Sequence, residues 1–210
     1  MKKPVVIIGY SGHAHTGIDI LSAAGYTVVA YCDNEPKTEN PFGLEYLGSE
    51  KDMGVLEKMK AFDYFIGIGN NNPLRRRIYE NVSPVLGEPV NAIHPSAILS
   101  PSVKLKYGAF ISANVSINAL TTIGMTTVCN TGCVIEHGCT IGDFVFIAPG
   151  AVLCGDVTVG DNTFVGANSV IKQGVHIGSN VIIGAGSVIL RDIEDGLTVA
   201  GNPSRIIRSA

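Results

Sequence analysis

Residues 134–169 read VIEHGC-TIGDFV-FIAPGA-VLCGDV-TVGDNT-FVGANS, and the second letter of every hexapeptide is aliphatic. The same register runs from Ile93 to Ile189 without an insertion, and Cys129 is its one member that is not aliphatic. Four residues after each of these positions the side chain is small or β-branched. A period of six fits neither an α-helix nor an amphipathic strand, whereas it is a known repeat of parallel β-helices.

Three hexapeptides form one triangular coil, so the repeats between Ile93 and Ile189 give about five coils. We expect the large aliphatic side chains inside the prism and the small ones beside them. Glycine often follows the aliphatic residue, where a corner needs a positive φ or close packing. These glycines are Gly124, Gly142, Gly160, Gly166, Gly178 and Gly184. The solenoid by itself indicates a scaffold, because one fold hosts many functions.

Composition excludes several classes of function. The 210-residue chain has a formal net charge of −3, so it offers no general basic field for nucleic acid. Its cysteines match no zinc spacing, and we expect packing thiols and no metal site. They are Cys32, Cys129, Cys133, Cys139 and Cys154. The apolar run from Val5 to Ile8 is too short for a signal peptide, and no run approaches membrane-spanning length. We therefore expect a cytoplasmic protein without nucleic-acid or membrane partners.

Residues 1–90 alternate strand and helix signals, which predicts an α/β domain ahead of the β domain. The strand signals cover 5–8, 28–32 and 64–68, and the helix signals follow them up to residue 24, at 51–59 and at 74–81. This is the βαβαβα order of a small Rossmann-like sheet. Residues 91–210 are assigned to the β-helix and a C-terminal cap.

All three predicted strands end in groups that could bind a ligand, and ligands of such sheets bind beyond the carboxyl ends of the strands. The loop from Gly9 to Gly12 leads into a helix N-terminus, which suits phosphate. The groups at the other two ends are Asp33, Asn34, Gly69, Asn70 and Asn71, and Arg75 could add a charge. The loop glycines depart from the dinucleotide fingerprint, so one mononucleotide with an attached group fits better. The alternative is that these are ordinary strand-to-helix turns.

The domain order and several motifs resemble the NeuD/PglD-like family of bacterial nucleotide-sugar and sialic-acid acetyltransferases, within the hexapeptide-repeat superfamily. The motifs are Gly9-Tyr-Ser-Gly-His13, Phe65-Ile-Gly-Ile-Gly-Asn-Asn71, Ile93-His-Pro-Ser-Ala97, Asn130-Thr-Gly-Cys-Val-Ile-Glu-His137 and Val199-Ala-Gly-Asn-Pro-Ser-Arg205. The Ile-Glu-His element is the most specific of them. The resemblance covers nearly the whole chain, and it implies a left-handed β-helix and a homotrimer with sites between subunits.

The resemblance also implies roles for individual residues. In the family acetyl-CoA donates an acetyl group to a sugar amine or hydroxyl, and the histidine of Ile-Glu-His acts as general base, which implies that role for His137. Substrate binding is expected at Gly9, Ser11, Gly12, His13, Asp33, Asn34, Gly69, Asn70, Asn71 and Asn130. Acetyl-CoA is expected along the later coils, at Gly155, Ala167, Ala185 and Arg205.

The repeat pattern independently places His137 at a corner, pointing outward. Adjacent coils stack about 4.8 Å apart, and the equivalent residue one coil later is Gly155, which leaves an open slot beside the imidazole. A thioester could lie there, and the Gly155 N–H could face its developing oxyanion. An imidazole is suited to taking a proton at neutral pH. The alternative for an outward corner histidine is surface decoration, which we assign to His94 and His176.

Two positions depart from the sugar-nucleotide branch of the family. Gly138 stands where a glutamate assists the histidine, and Phe146 stands where a second histidine lies near the thioester. Glu136 precedes His137 but is expected to project elsewhere.

We predict N-acetylation of a UDP-linked 4-amino-4,6-dideoxy sugar in surface glycan biosynthesis. The alternatives are sialic-acid O-acetylation, a non-catalytic nucleotide-sugar sensor and, more remotely, an NAD-binding redox domain.

Overall fold

The structure is a computed structural model that describes residues 2–208. The N-terminal domain has four parallel strands in the order β3-β2-β1-β4, with helices on both faces. Its elements are β1 (Val5–Ile8), α1 (Gly12–Ala23), β2 (Val28–Cys32), β3 (Glu45–Gly48), α2 (Met53–Met59), β4 (Asp63–Ile66) and α3 (Asn72–Leu86). The Rossmann-like domain predicted from the alternating pattern is therefore present, with one strand more than predicted.

The additional strand, β3, has little apolar signal in the sequence. It comprises four residues at the edge of the sheet, and Glu45 at its start is exposed. Helix α3 begins earlier than the apolar pattern predicts because the Asn71 side chain accepts from the Leu74 N–H at 3.1 Å, and Pro73 lies in its first turn. The helix then continues through Pro84 to Leu86.

The hexapeptide register produces a two-residue strand at every repeat, and these strands form three parallel sheets. The strands are β5 (Ala92–Ile93), β6 (Ile98–Leu99), β7 (Lys104–Leu105), β8 (Phe110–Ile111), β9 (Ser116–Ile117), β10 (Thr122–Ile123), β11 (Val128–Cys129), β12 (Val134–Ile135), β13 (Thr140–Ile141), β14 (Phe146–Ile147), β15 (Val152–Leu153), β16 (Thr158–Val159), β17 (Phe164–Val165), β18 (Val170–Ile171), β19 (His176–Ile177), β20 (Ile182–Ile183) and β21 (Val188–Ile189). Strands β22 (Thr198–Ala200) and β23 (Arg205–Arg208) close the C-terminal end. The fold is the left-handed β-helix expected from the repeat and the resemblance.

The three sheets give the prism three faces, each stacked in an 18-residue register. The docked face (β5, β8, β11, β14, β17, β20) carries the N-terminal domain. The aliphatic face (β6, β9, β12, β15, β18, β21) and the threonine face (β7, β10, β13, β16, β19) are named for their outward side chains. Val134 pairs with Val152 on the aliphatic face, for example, and Thr140 pairs with Thr158 on the threonine face.

The interior of the prism is one continuous core. The six-residue series is fully buried from Ile111 to Ile189, and the small residues Cys133 and Cys139 fill the space beside it. The corner glycines noted in the sequence serve close packing, since a Cβ on Gly160 would lie 2.6 Å from the Ser179 nitrogen. Positive φ belongs to a different column of glycines, which includes Gly138 at φ 70°.

Arg75 fixes the N-terminal domain to the solenoid. Its side chain is 1% exposed, and it donates from Nε to the Thr126 carbonyl at 2.8 Å and from Nη2 to the Phe144 carbonyl at 2.9 Å. Nη1 donates to the Gly69 carbonyl at the end of β4. Burial lowers the pKa of Arg75 to about 9, so it remains charged at neutral pH. The sequence offered Arg75 as a ligand-binding charge, whereas the structure commits it to the domain contact.

Candidate functional site

The order of the N-terminal sheet reverses between β1 and β4, and this switch point is where ligands of such sheets bind. Gly9 has φ 85°, and a Cβ there would lie 2.5 Å from Ile68 Cδ1. Ser11 precedes α1, and its hydroxyl makes no capping hydrogen bond. Apart from its chain neighbours and the backbone of its own helix, no atom lies within 4 Å of the position that a Gly12 Cβ would take. The first turn of α1 is therefore open to an anionic group.

A cavity of about 630 Å³, the corner cavity, lies beside this helix where the docked and aliphatic faces meet. The N-terminal domain contributes Ser11, His13, Gly69 and Asn70 to its wall. The solenoid contributes Phe146, Ala148, Pro149, Phe164, Gly166, Ala167 and Ala185. The structure thus brings together four of the residues predicted to bind substrate with two of those predicted to bind acetyl-CoA.

His13 is packed into this wall as a neutral ring. It stacks on Phe110 with 4.3 Å between ring centroids, and its Nε2 is buried without a hydrogen-bond partner. Burial, with a smaller contribution from the Arg75 charge, lowers the pKa of His13 to about 4. At neutral pH His13 can therefore offer a hydrogen bond to a ligand but no charge.

Three other polar residues predicted to bind substrate already have partners in the fold. The Asp33 carboxylate accepts from the Tyr10 and Asn34 N–H groups at 3.0 and 2.7 Å, and Lys37 lies 3.1 Å away. Asn34 Oδ1 accepts from Lys51 at 2.8 Å, and Asn71 caps α3. These contacts shape the edge of the sheet and leave fewer free groups than the sequence indicates.

His137 lies at the next corner of the prism, where the aliphatic and threonine faces meet. Its side chain is 58% exposed. Glu136 folds back around the corner, and its Oε2 lies 3.8 Å from His137 Nδ1, contrary to the expectation that it projects elsewhere. The distance is too long for a hydrogen bond, but a small side-chain rotation would form one.

Gly155 provides the slot that the repeat pattern predicts. A Cβ built on Gly155 would lie 2.5 Å from His137 Cε1 and 2.8 Å from Nε2, so the imidazole lies directly over this glycine. Within residues 2–208 the Gly155 N–H makes no hydrogen bond. On the other side of His137, a Cβ on Gly138 would contact the Asp156 carboxylate, which occupies the space beside it.

Within one chain, His137 and the corner cavity lie at different corners. The residues predicted to bind acetyl-CoA divide in the same way, with Gly155 beside His137 and with Ala167 and Ala185 in the corner cavity. Asn130 lies one coil before Ala148, at the corner that holds the cavity.

The fourth residue predicted to bind acetyl-CoA, Arg205, lines a separate cavity of about 460 Å³ at the C-terminal end. Arg191 lines the same cavity. Sequence reasoning missed Arg191, although the register signals it: Arg191 is three coils beyond His137 in the same column, or about 14 Å away.

Among residues 2–208 no helix is long and apolar enough to cross a bilayer. The same residues contain no group of three His, Cys, Asp or Glu side chains arranged to hold a metal ion. The cytoplasmic location expected from the sequence stays a prediction.

Comparisons with known proteins match both domains. The profile of the PglD N-terminal domain matches residues 4–82, and that of the hexapeptide repeat of succinyl-transferase matches residues 156–191. GDP-perosamine N-acetyltransferase of Escherichia coli O157:H7 is 38% identical over 109 residues, which cover 52% of this chain and 48% of that protein. UDP-N-acetylbacillosamine N-acetyltransferase of Bacillus subtilis (strain 168) is 34% identical over 112 residues, covering 53% and 52%. The matches span about half the length of these curated relatives.

A solved structure matches along the whole chain. It is a variant of GDP-perosamine N-acetyltransferase from Caulobacter crescentus in complex with CoA and GDP-perosamine. The two proteins are 37% identical, the match covers 98% of this chain and 97% of the other, and the TM-score is 0.93.

Proposed function

Because the chain belongs to the PglD/NeuD-like family of hexapeptide acetyltransferases, we propose that it transfers the acetyl group of acetyl-CoA to the amine of a nucleotide-linked 4-amino-4,6-dideoxy sugar. The observation that carries the proposal is the exposed imidazole of His137 lying over the bare backbone of Gly155. His137 as the general base therefore lies next to the space above Gly155 that can hold the acyl group. The names of the relatives, which are sugar N-acetyltransferases, favour nitrogen over oxygen as the acceptor.

In the proposed reaction the sugar nitrogen attacks the thioester carbonyl carbon. A C–N bond forms, and His137 takes the proton that the nitrogen releases. The C–S bond breaks, and the departing thiolate takes up that proton to give the CoA thiol and neutral His137. The free N–H of Gly155 is positioned to donate to the carbonyl oxygen while negative charge develops on it. Glu136 accepts from the imidazole once its side chain closes the 3.8 Å gap, which replaces the glutamate absent at Gly138.

The substrate spans the corner cavity and the switch point in this proposal. The diphosphate lies at the open first turn of α1, beside Ser11 and Gly12, where free N–H groups and the helix dipole favour negative charge. The sugar extends into the corner cavity toward His13 and Asn70. His13 contributes a neutral hydrogen-bonding group there. Because it remains neutral at neutral pH, it does not take the proton that His137 accepts.

A homotrimer completes the site by joining the two corners. The outward side chains of the aliphatic face are Ile98, Ser116, Val134, Val152, Val170 and Val188, whereas those of the threonine face are Lys104, Thr122, Thr140, Thr158 and His176. Burying the aliphatic face removes the most apolar surface from water. If three such faces pack around a three-fold axis, the corner with His137 in one subunit meets the corner cavity of the next.

The same arrangement gives acetyl-CoA a continuous path. Its thioester lies at Gly155 of one subunit, and its pantetheine arm runs toward the C-terminal end beside Ala167 and Ala185 of the neighbouring subunit. Arg191 and Arg205 line the cavity at that end and supply positive charge for the phosphates. The distance of about 14 Å from His137 to Arg191 suits an extended pantetheine arm.

The test is release of CoA thiol from acetyl-CoA in the presence of a panel of acceptors. The panel contains UDP-, GDP- and dTDP-linked 4-amino-4,6-dideoxy sugars, CMP-sialic acid and free sialic acid. We expect thiol release with an amino-sugar nucleotide, loss of that release in His137→Ala, and little change in His176→Ala, which alters another exposed histidine. Release with sialic acid alone would replace the proposal with O-acetylation, and nucleotide binding without any release would favour a sensor.

A further inference from the structure

Two small cavities of about 120 and 160 Å³, the edge cavities, lie at the carboxyl edge of the N-terminal sheet. They share four lining residues: Glu50, Lys51, Arg77 and Ile78. Gly9 and Ile68, the residues of the switch point, border the first of them. The edge cavities and the corner cavity thus flank the same two strand ends, and a nucleotide sugar whose sugar fills the corner cavity would direct its base to the edge cavities.

Glu50 is the unusual residue in these cavities. It follows β3, and the residue as a whole is only 7% exposed. Its carboxylate has one hydrogen bond, from the Ser49 hydroxyl at 3.5 Å, which is at the limit of a real interaction. No Lys, Arg or His nitrogen of residues 2–208 lies within 4 Å of it. A carboxylate that borders two cavities with one weak contact retains acceptor capacity for a ligand that donates to it.

The neighbouring carboxylate, Asp33, shows the contrast. Asp33 also lines the first edge cavity, but it accepts from two backbone N–H groups and contacts Lys37 at 3.1 Å. The main chain of Glu50 is fixed as well, since Asn81 donates to its carbonyl at 3.0 Å. Of the two acidic groups at this edge, Glu50 has its main chain fixed and retains more of its acceptor capacity.

We propose that Glu50 recognises a guanine base, so that the substrate is a GDP-linked rather than a UDP-linked amino sugar. This inference rests on the proposed function, because it names the nucleotide of the same substrate. Guanine presents two adjacent donors, N1–H and the 2-amino group, which match the two oxygens of a carboxylate. Uracil presents one N–H between two carbonyl oxygens, and a carboxylate facing that edge would repel both oxygens.

The positive groups of the edge cavities agree with this assignment. Lys51, which donates to Asn34 at 2.8 Å, and the exposed Arg77 line both cavities with Glu50. Either can donate to guanine O6, the acceptor next to N1–H. The edge of the sheet therefore offers both the acceptor and the donors that guanine requires.

The test is calorimetric titration of the full chain with GDP, IDP and UDP. IDP differs from GDP only by the missing 2-amino group, so it isolates one of the two donors. We expect GDP to bind about tenfold or more tightly than IDP, and more tightly still than UDP. Glu50→Gln keeps the size of the side chain but removes one acceptor, and it should weaken GDP about 10- to 100-fold while leaving UDP unchanged. Glu45→Gln, at the exposed start of β3, is the control.

Equal binding of GDP and UDP by the unaltered chain would overturn the guanine assignment, whether or not Glu50→Gln folds. Equal weakening of all three nucleotides by Glu50→Gln would also overturn it, because a structural role predicts that pattern. Neither result would affect the thiol-release assay. Absence of thiol release with every amino-sugar nucleotide would instead overturn the proposed function, while GDP binding could still be measured.

Discussion

Gly155 leaves no room for a side chain beside His137. A methyl group there would lie 2.5 Å from His137 Cε1, so Gly155→Ala must displace the imidazole or the acyl group. A misplacement of about 1 Å is enough to reduce kcat/KM about a hundredfold. We expect that loss in the thiol-release assay, with an unchanged melting temperature. Gln173→Ala, one coil further in the same column, should keep near-normal activity. Equal losses of activity in both variants would contradict the proposal that the open space at Gly155 holds the acyl group.

His13 makes a prediction about stability and pH. Its pKa is about 4 in the folded chain and about 6.5 when unfolded. Between these values the unfolded chain binds a proton that the folded chain does not. The free energy of unfolding should therefore fall as pH drops from 6.5 toward 4, by about 3 kcal/mol from this residue, and the contribution is constant below pH 4.

His13→Phe keeps the stacking on Phe110 and removes the titration. Urea unfolding at pH 7 and pH 5 should therefore show a smaller acid loss in this variant than in the unaltered chain. His176→Phe, which replaces an exposed histidine, is the control. Identical pH profiles for His13→Phe and the unaltered chain would contradict the buried neutral imidazole.

At the scale of single residues, sequence reasoning depended on where each residue's partners lie along the chain. The slot beside His137 could be predicted because Gly155 is fixed to it by the 18-residue register. The burial of His13 could not, because it depends on Phe110, which is nearly a hundred residues away. Glu50 was missed for the same kind of reason: its burial beside a cavity is a property of the folded sheet edge.

Helix α3 contacts the solenoid through Arg75, which anchors the helix there. Lysine in place of Arg75 keeps the charge but cannot reach the carbonyls of Thr126, Phe144 and Gly69 together. Buried carbonyls without donors each cost about 1–3 kcal/mol, so we expect Arg75→Lys to lower the free energy of unfolding by about 3 kcal/mol. Urea unfolding measures this. The exposed Arg77→Lys is the control, and equal small effects would show that Arg75 is not an anchor.

At the scale of elements, the sequence predicts a strand or helix where the apolar pattern is strongly periodic and misses it where the pattern is weak. Seventeen solenoid strands follow from one six-residue pattern, because each inward side chain is dictated by its own position in the repeat. Strand β3 at the sheet edge has no such pattern, and the start of α3 depends on the Asn71 cap rather than on apolar residues.

At the scale of the whole molecule, the proposed trimer depends on burial of the aliphatic face. Val152→Lys places a charge in the middle of that face, and we expect it to convert the trimer into monomers of about 22 kDa by light scattering and to abolish activity. Thr140→Lys makes the equivalent change on the threonine face and should remain trimeric and active. A trimer that tolerates Val152→Lys would place the interface elsewhere. The 18-residue register already places His137 and Ala167 in different columns, but no pattern within one chain shows which corner of one subunit meets which corner of the next.

The most direct test of the account is complementation between two inactive variants. His137→Ala removes the base, and Gly12→Asp places a negative charge at the open first turn of α1, where nothing lies within 4 Å. Trimers assembled from a 1:1 mixture should regain about a quarter of normal thiol release, because each site between subunits needs one intact partner of each kind. No recovery in confirmed mixed trimers would show that each site lies within one chain and would contradict the composite site.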